Sequence, residues 1–306
     1  MKIVVFHFFS WQLLTYIPSL GIMFALGGWF MGLALNKDSA VTVIRRRLGR
    51  LLPTFWLFSA LTLIAGFFYA QGAGVELNPT LAWLFPYKQV TWDLDNAYAN
   101  DATVVTWYIA AYMWFVFLSP LLYFLYKRAW FIVFLPVIAM PIYTWLWPTQ
   151  ETVLGETWFN LLTFGGCWML GFLRADDRIK SIPMYLAIAV AAVCSLCSIL
   201  LTLGTPALSD NPVALSVMSF GVAFLLLRIN PSMDMLAGWV HSFIRYFSTF
   251  AVTIYLFHNI LINGAFAVGD KVGLYGQWMD FGILIALLFV ATKTLGIVET
   301  HKWSKA

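Results

Sequence analysis

An all-α, polytopic membrane helix bundle of about ten transmembrane helices is predicted by three observations. The chain of 306 residues is 61% hydrophobic and only 10% charged, whereas soluble domains run near a quarter charged. Its apolar residues fall into long uninterrupted runs, of the length that crosses a hydrocarbon core as helix. No stretch alternates apolar and polar residues as a half-buried strand would.

The runs lie at 3–19, 19–36, 52–71, 103–126, 129–147, 157–174, 182–203, 212–228, 247–267 and 278–298. Only Pro18 and Ser19 separate the first two, so nine spans is the alternative count. No hydrophilic block is long enough to fold separately, so residues 1–306 form a single transmembrane domain with no appended soluble domain. The 15 Trp, 13 Tyr and 27 Phe suit rings facing lipid and its interfaces. The N-terminal run lacks a small-residue cleavage site and leads straight into another span, so no cleavable signal peptide is expected.

Lys and Arg set the orientation. With ten spans and the N-terminus inside, fifteen fall on cytoplasmic segments and only Lys88 and Lys271 on outer loops, with Lys293 inside the last span. Both termini are then cytoplasmic. A net charge of +4, dispersed in this way, does not suggest nucleic acid. The three cysteines lie in apolar segments and form neither a disulfide framework nor a zinc pattern. Cys194 and Cys197, in AIAVAAVCSLCSILL, read as small packing residues, because no basic neighbour activates a thiol there.

The densest positive charge is VTVIRRRLGRLLPTFW, residues 41–56, with Arg45, Arg46, Arg47 and Arg50 followed by Pro53. Such a cluster either anchors a cytoplasmic loop or holds a polyanion there. Pro53 is expected near the start of the following helix, where it costs no hydrogen bond. The longest outer loop, roughly 73–102, mixes Glu76, Asp93, Asp95 and Asp101 with Trp83, Tyr87, Trp92 and Tyr98. Carboxylates beside rings suit sugars, and equally suit an ordinary solvated loop.

Two histidines, His7 and His258, are intramembrane, where a neutral imidazole is tolerated and titrates near working pH. Each is either a general base or a structural side chain donating to a nearby carbonyl. Trp107 stands at the outer end of its span, and Tyr108 and Tyr112 share a helical face, as packing or as polar lining. His241 and His301 read as surface residues.

Five stretches, in order, resemble the membrane-bound acyltransferase family 3, bacterial O-acyltransferases that modify sugars and lipid-linked glycans. VVFHF at 4–8 is similar to the family's first-helix VVLFHF, and MFALGGWFMG at 23–32 to its FFVLSGFLI. RRLGRLLPTFW at 46–56 resembles RRLLRILPLYW, with the Arg-x-x-Arg pair at Arg47 and Arg50. Trp107 to Pro120 reproduces the Trp-to-Pro step of WSLSVEEQFYLLLP, and TIYLFHNIL at 253–261 resembles SYPIYLLHNPV. The set spans nearly the whole chain. Departures are Gly27 for the second-helix Ser, Tyr112 and Met113 for a Glu pair, no appended hydrolase-like domain, and no arginine eleven positions before His7.

The resemblance implies a membrane O-acyltransferase of the bacterial inner membrane that uses acetyl-CoA and no metal. Arg47 and Arg50 would grip the donor phosphates. His7 would be catalytic, as general base or acyl carrier. Trp107 and Tyr108, near the outer face, and His258 would line the path of a carbohydrate or lipid-linked glycan acceptor. Two competing readings are a transporter or flippase, and a truncated, inactive family member. Against the transporter stand the Arg-x-x-Arg-x-x-Pro order, the lack of internal repeats and the shortage of intramembrane carboxylates. Only Asp280 and Glu299 lie near a span, both at its ends.

Overall fold

Backbone groups in lipid must be paired within their own segment, which favours helices. The structure, a computed structural model, describes residues 2–9, 17–69, 77–78, 80–92, 102–147, 153–203, 208–231, 237–273 and 276–301. The helices are α1 (Lys2–Phe9), α2 (Ser19–Leu35), α3 (Ala40–Tyr69), α4 (Thr106–Arg128), α5 (Leu135–Leu146) and α6 (Val153–Ala175). They continue as α7 (Met184–Leu201), α8 (Pro212–Ile229), α9 (Gly238–Thr249), α10 (Ala251–Val272), α11 (Gln277–Thr294) and α12 (Gly296–Thr300). A two-residue antiparallel pair, β1 (Leu77–Asn78) with β2 (Thr91–Trp92), is too small to alter the all-α class.

Among the described residues, six helical stretches are long and apolar enough to cross a membrane: Ala40–Ala65, Ala102–Arg128, Met184–Leu201, Pro212–Ile229, Ala251–Val272 and Gln277–Thr294. Ser19–Leu35 and Trp130–Leu146 are apolar but shorter. One expectation is corrected. The arginine cluster does not precede a helix that begins near Pro53. It lies within α3, with Pro53 in the interior. Ser39 starts that helix, its hydroxyl accepting from Thr42 N at 3.4 Å, and the leucine- and arginine-rich segment propagates it. Pro53 deprives the carbonyl of Gly49 of its helical partner, and the missing side chain at Gly49 gives the backbone latitude there.

The chain divides into two compact units. The first comprises residues 1–10, 45–110 and 233–306. Its apolar core joins Val4, Phe8 and Phe9 of α1 to Ile254, Ile262 and Ala265 of α10 and to Leu284 and Leu288 of α11. A smaller core of Ala82, Trp83 and Val90 packs with Leu63 of α3, and Trp56 donates to the carbonyl of Leu84 at 2.7 Å. Trp83 of the long loop is therefore a packing residue. The loop's acidic residues lie outside the described ones.

The second unit comprises residues 11–44 and 111–232. Its centre is a close crossing of α2 and α6. A Cβ on Gly28 would meet the backbone of Trp168, and one on Gly171 would meet the backbone of Ala25, Gly28 and Trp29. The closeness brings the fully buried Trp168 ring against Phe115, stacked at 4.9 Å, with Phe24 beside both. Its indole N–H donates to Ser119 Oγ at 2.9 Å, and that hydroxyl donates to the Phe115 carbonyl at 2.6 Å. Cys194 of α7 packs on Gly221 of α8, and neither it nor Cys197 forms a disulfide. Asn211 caps α8 by accepting from Ala214 N at 3.1 Å, and donates to the Leu201 carbonyl at the end of α7 at 2.8 Å.

Where α2, α4 and α6 end, Asp176 gathers them. Lys127 Nζ donates to both its oxygens at 2.7 Å, and the Tyr123 hydroxyl lies 3.0 Å from Oδ1 and 2.6 Å from Asn36 Oδ1. Burial favours protonated Asp176, but hydrogen bonds from Lys127, Tyr123 and Asn36 outweigh it and hold the carboxyl below its ordinary value.

Two measurements test this packing. Gly28→Ala and Gly171→Ala should each destabilise the protein by roughly 1–3 kcal/mol in thermal unfolding in detergent. The double variant should lose less than the sum, because both side chains open one crossing. A carboxyl held low in the folded state contributes in full above its unfolded value and loses that contribution as pH falls through the lowered one. Thermal stability should therefore drop below about pH 4 in a step that Asp176→Asn lacks.

Candidate functional site

The residues singled out from sequence (His7, Arg47, Arg50, Trp107, Tyr108 and His258) come from three separate chain segments, and all belong to the first unit. The arrangement is built from the start of α10. Helix α9 stops at Thr249 and α10 begins at Ala251, so fresh backbone N–H groups open at that break. Glu299, on the short helix α12, answers them. Its buried side chain accepts from Val252 N at 3.2 Å, Thr253 N at 2.9 Å and the Thr253 hydroxyl at 2.8 Å. A carboxylate there also complements the positive end of the helix dipole.

The same carboxylate holds Arg50, whose Nη2 lies 3.7 Å from Oε1 and donates to the Thr249 carbonyl at 3.4 Å. The Arg50 side chain nevertheless remains 57% exposed. Arg47, one turn earlier on α3, is half-buried. Sequence reasoning placed Glu299 near the end of a span and gave it no role. Its partners are backbone groups more than forty residues away in the chain, and no local pattern signals them.

Helices α3 and α10 run side by side in the same direction. Arg50 meets the start of α10, and further along Phe58 packs edge-on against Phe257 at 5.4 Å. The next residue of α10, His258, is fully buried, with Nδ1 2.6 Å from the carbonyl of Tyr255. A carbonyl only accepts, so Nδ1 carries the proton. His258 thus makes the bond of a structural histidine within its own helix.

The Tyr108 ring lies 4.6 Å from that of Tyr255, and Trp107 stands edge-on to Tyr108 at 6.1 Å. Tyr255 is four residues into α10, about 6 Å of rise from its start. This contact differs from the sequence expectation. Tyr108 stands toward the arginine end of α10 rather than at the opposite end.

His7 belongs to α1, and its side chain lies outside the described residues. The next residue, Phe8, stacks on Phe266 at 5.3 Å, and Phe266 is about 22 Å of rise along α10. Helix α1 therefore accompanies the second half of α10. Among the described residues, no group of three or more His, Cys, Asp or Glu is placed to hold a metal.

A helical membrane protein with cations and histidines on neighbouring helices belongs to a broad class, and comparison with known proteins narrows it. The family model described as an acyltransferase domain, of acyltransferase family 3, matches residues 3–295. The chain belongs to this family and is a membrane acyltransferase. No curated protein and no solved structure matches it.

Glu299→Ala would strand the donors of Val252 and Thr253. The expected cost is about 1–3 kcal/mol of stability, read by thermal unfolding, with a smaller loss for Glu299→Gln.

Proposed function

We propose that the protein transfers an acetyl group from acetyl-CoA, taken up on the cytoplasmic side, to a hydroxyl of a carbohydrate or lipid-linked glycan. In this reading the chain crosses the bacterial inner membrane about ten times, with both termini cytoplasmic. The observation that supports it is the gathering of His7, Arg47, Arg50, Trp107, Tyr108 and His258 into one compact unit from segments at the beginning, middle and end of the chain.

Arg47 and Arg50 would offer guanidinium forks to the phosphates of the donor, and Glu299 orients the second of them. The chemistry at His7 balances simply. The acceptor oxygen attacks the thioester carbonyl, an ester bond forms and the carbon–sulfur bond breaks. The acceptor's proton passes to the imidazole of His7 and then to the departing thiolate. In the alternative route the acyl group rests on His7 before reaching the acceptor. Tyr108, Trp107 and His258 would bound the path of the acceptor.

The test is transfer of radiolabelled acetyl from acetyl-CoA to glycans in membranes containing the protein. Arg47→Ala and Arg50→Ala should each raise the donor concentration required by roughly ten- to a hundredfold. His7→Ala should lower turnover by at least about 100-fold while the donor still binds. Full activity of a properly inserted His7→Ala variant would refute the mechanism.

A further inference from the structure

Buried hydroxyls on helices ordinarily donate back to the carbonyl four residues earlier. In this protein Ser119, Thr163, Ser198 and Thr202 all do so, at 2.6–3.0 Å. Ser216 and Ser219 on α8 break the habit, and so do three hydroxyls on α3. Thr54, Ser59 and Thr62 are 0%, 4% and 3% exposed, and none of their oxygens meets a hydrogen-bond partner among the described residues. A buried polar group left unpaired is costly and calls for an explanation.

The positions of Thr54 and Thr62 supply one. At 100° per residue, Thr54, Phe58 and Thr62 fall within about 80° of one another, and Arg47 and Arg50 adjoin the same strip, whereas Ser59 lies about 100° round from Phe58, toward Leu63. Two contacts fix where that strip points: Arg50 at the start of α10, and Phe58 against Phe257. It faces α10. The loop core lies elsewhere, since Trp56 and Leu63, the residues that meet the loop, stand on the opposite side of α3. Measured from Arg50, Thr54 and Thr62 stand about 6 and 18 Å along the helix. They rise from the exposed guanidinium toward the part of α10 that α1 accompanies.

We propose that Thr54 and Thr62 form a hydrogen-bonding ladder for the amide-bearing pantetheine arm of the acyl donor, continuing inward from the phosphate grip of Arg47 and Arg50. The assignment rests on the donor reading above and adds a second subsite to it. A pantetheine arm carries two amides and a hydroxyl on an otherwise apolar chain. Spaced single hydroxyls on an otherwise apolar helix face match that chemistry. Phe55 and Phe58, both fully buried on the same side, supply the apolar walls.

The experiment compares two probes on the detergent-solubilised full chain: coenzyme A, and adenosine 3′,5′-bisphosphate, which keeps phosphates and base but lacks the arm. Thr54→Val and Thr62→Val should each weaken coenzyme A binding by roughly three- to tenfold and leave the bisphosphate unchanged, whereas Ser59→Ala, off the strip, should bind both probes like wild type. Arg47→Ala and Arg50→Ala should weaken both. Because the hydroxyls have no partner to lose among the described residues, the three variants should unfold at temperatures no lower than wild type.

Thr54→Val and Thr62→Val variants that bind both probes like wild type, while the arginine variants bind neither well, would overturn the ladder and leave the donor reading standing. Equal weakening of both probes, or a lowered unfolding temperature, would also overturn it, by assigning the hydroxyls to general structure. A wild-type protein that binds neither probe would remove the donor reading and the ladder together.

Discussion

The first unit depends on the break between α9 and α10. A helix that begins inside a bundle exposes N–H groups where water cannot serve them, and the cost of leaving them unpaired is several kcal/mol each in hydrocarbon. Glu299 answers that demand with a single carboxylate, which accepts three hydrogen bonds at the start of α10. Its charge then brings Arg50 to the same point. One requirement of backbone chemistry thus joins α3, α10 and α12 at one point.

The second unit solves a different problem by different means. Helices in lipid gain little from burying apolar faces against one another, so close approach must supply the stability. Gly28 and Gly171 remove the side chains that would hold α2 and α6 apart, and the Trp168 ring fills the space beside them. The indole N–H, which would be costly unpaired, is answered by Ser119, whose hydroxyl also serves the carbonyl of Phe115. Polar satisfaction and ring packing there are one arrangement.

Much of this was legible in the sequence. Long apolar runs gave the helical class because hydrophobic length is a local property, and the ordered motifs from VVFHF to TIYLFHNIL pointed to the family whose model covers residues 3–295. What escaped was non-local. Pro53 looked like a helix start because local rules place proline there, yet Ser39 and the segment after it carry the helix through. Tyr108 was expected near the outer face because it opens an apolar run, but its partner Tyr255 is near the start of α10. Glu299 looked like an ordinary end-of-span carboxylate because the groups it serves are set by folding alone. The side chain of His7 lies outside the described residues, so its role rests on the family's pattern.

The dispersal of the first unit along the chain has a consequence for biosynthesis. Arg50, Thr54 and Thr62 of α3 are made well before α10, which they face, and before Glu299, which fastens Arg50. The contiguous stretch from 111 to 232 enters the membrane in between and belongs wholly to the other unit. During that interval α3 must wait in the bilayer with a cation and buried hydroxyls lacking their later neighbours. The order of synthesis therefore makes the Arg50–Glu299 contact a late one, formed only after the 111–232 segment has entered the membrane.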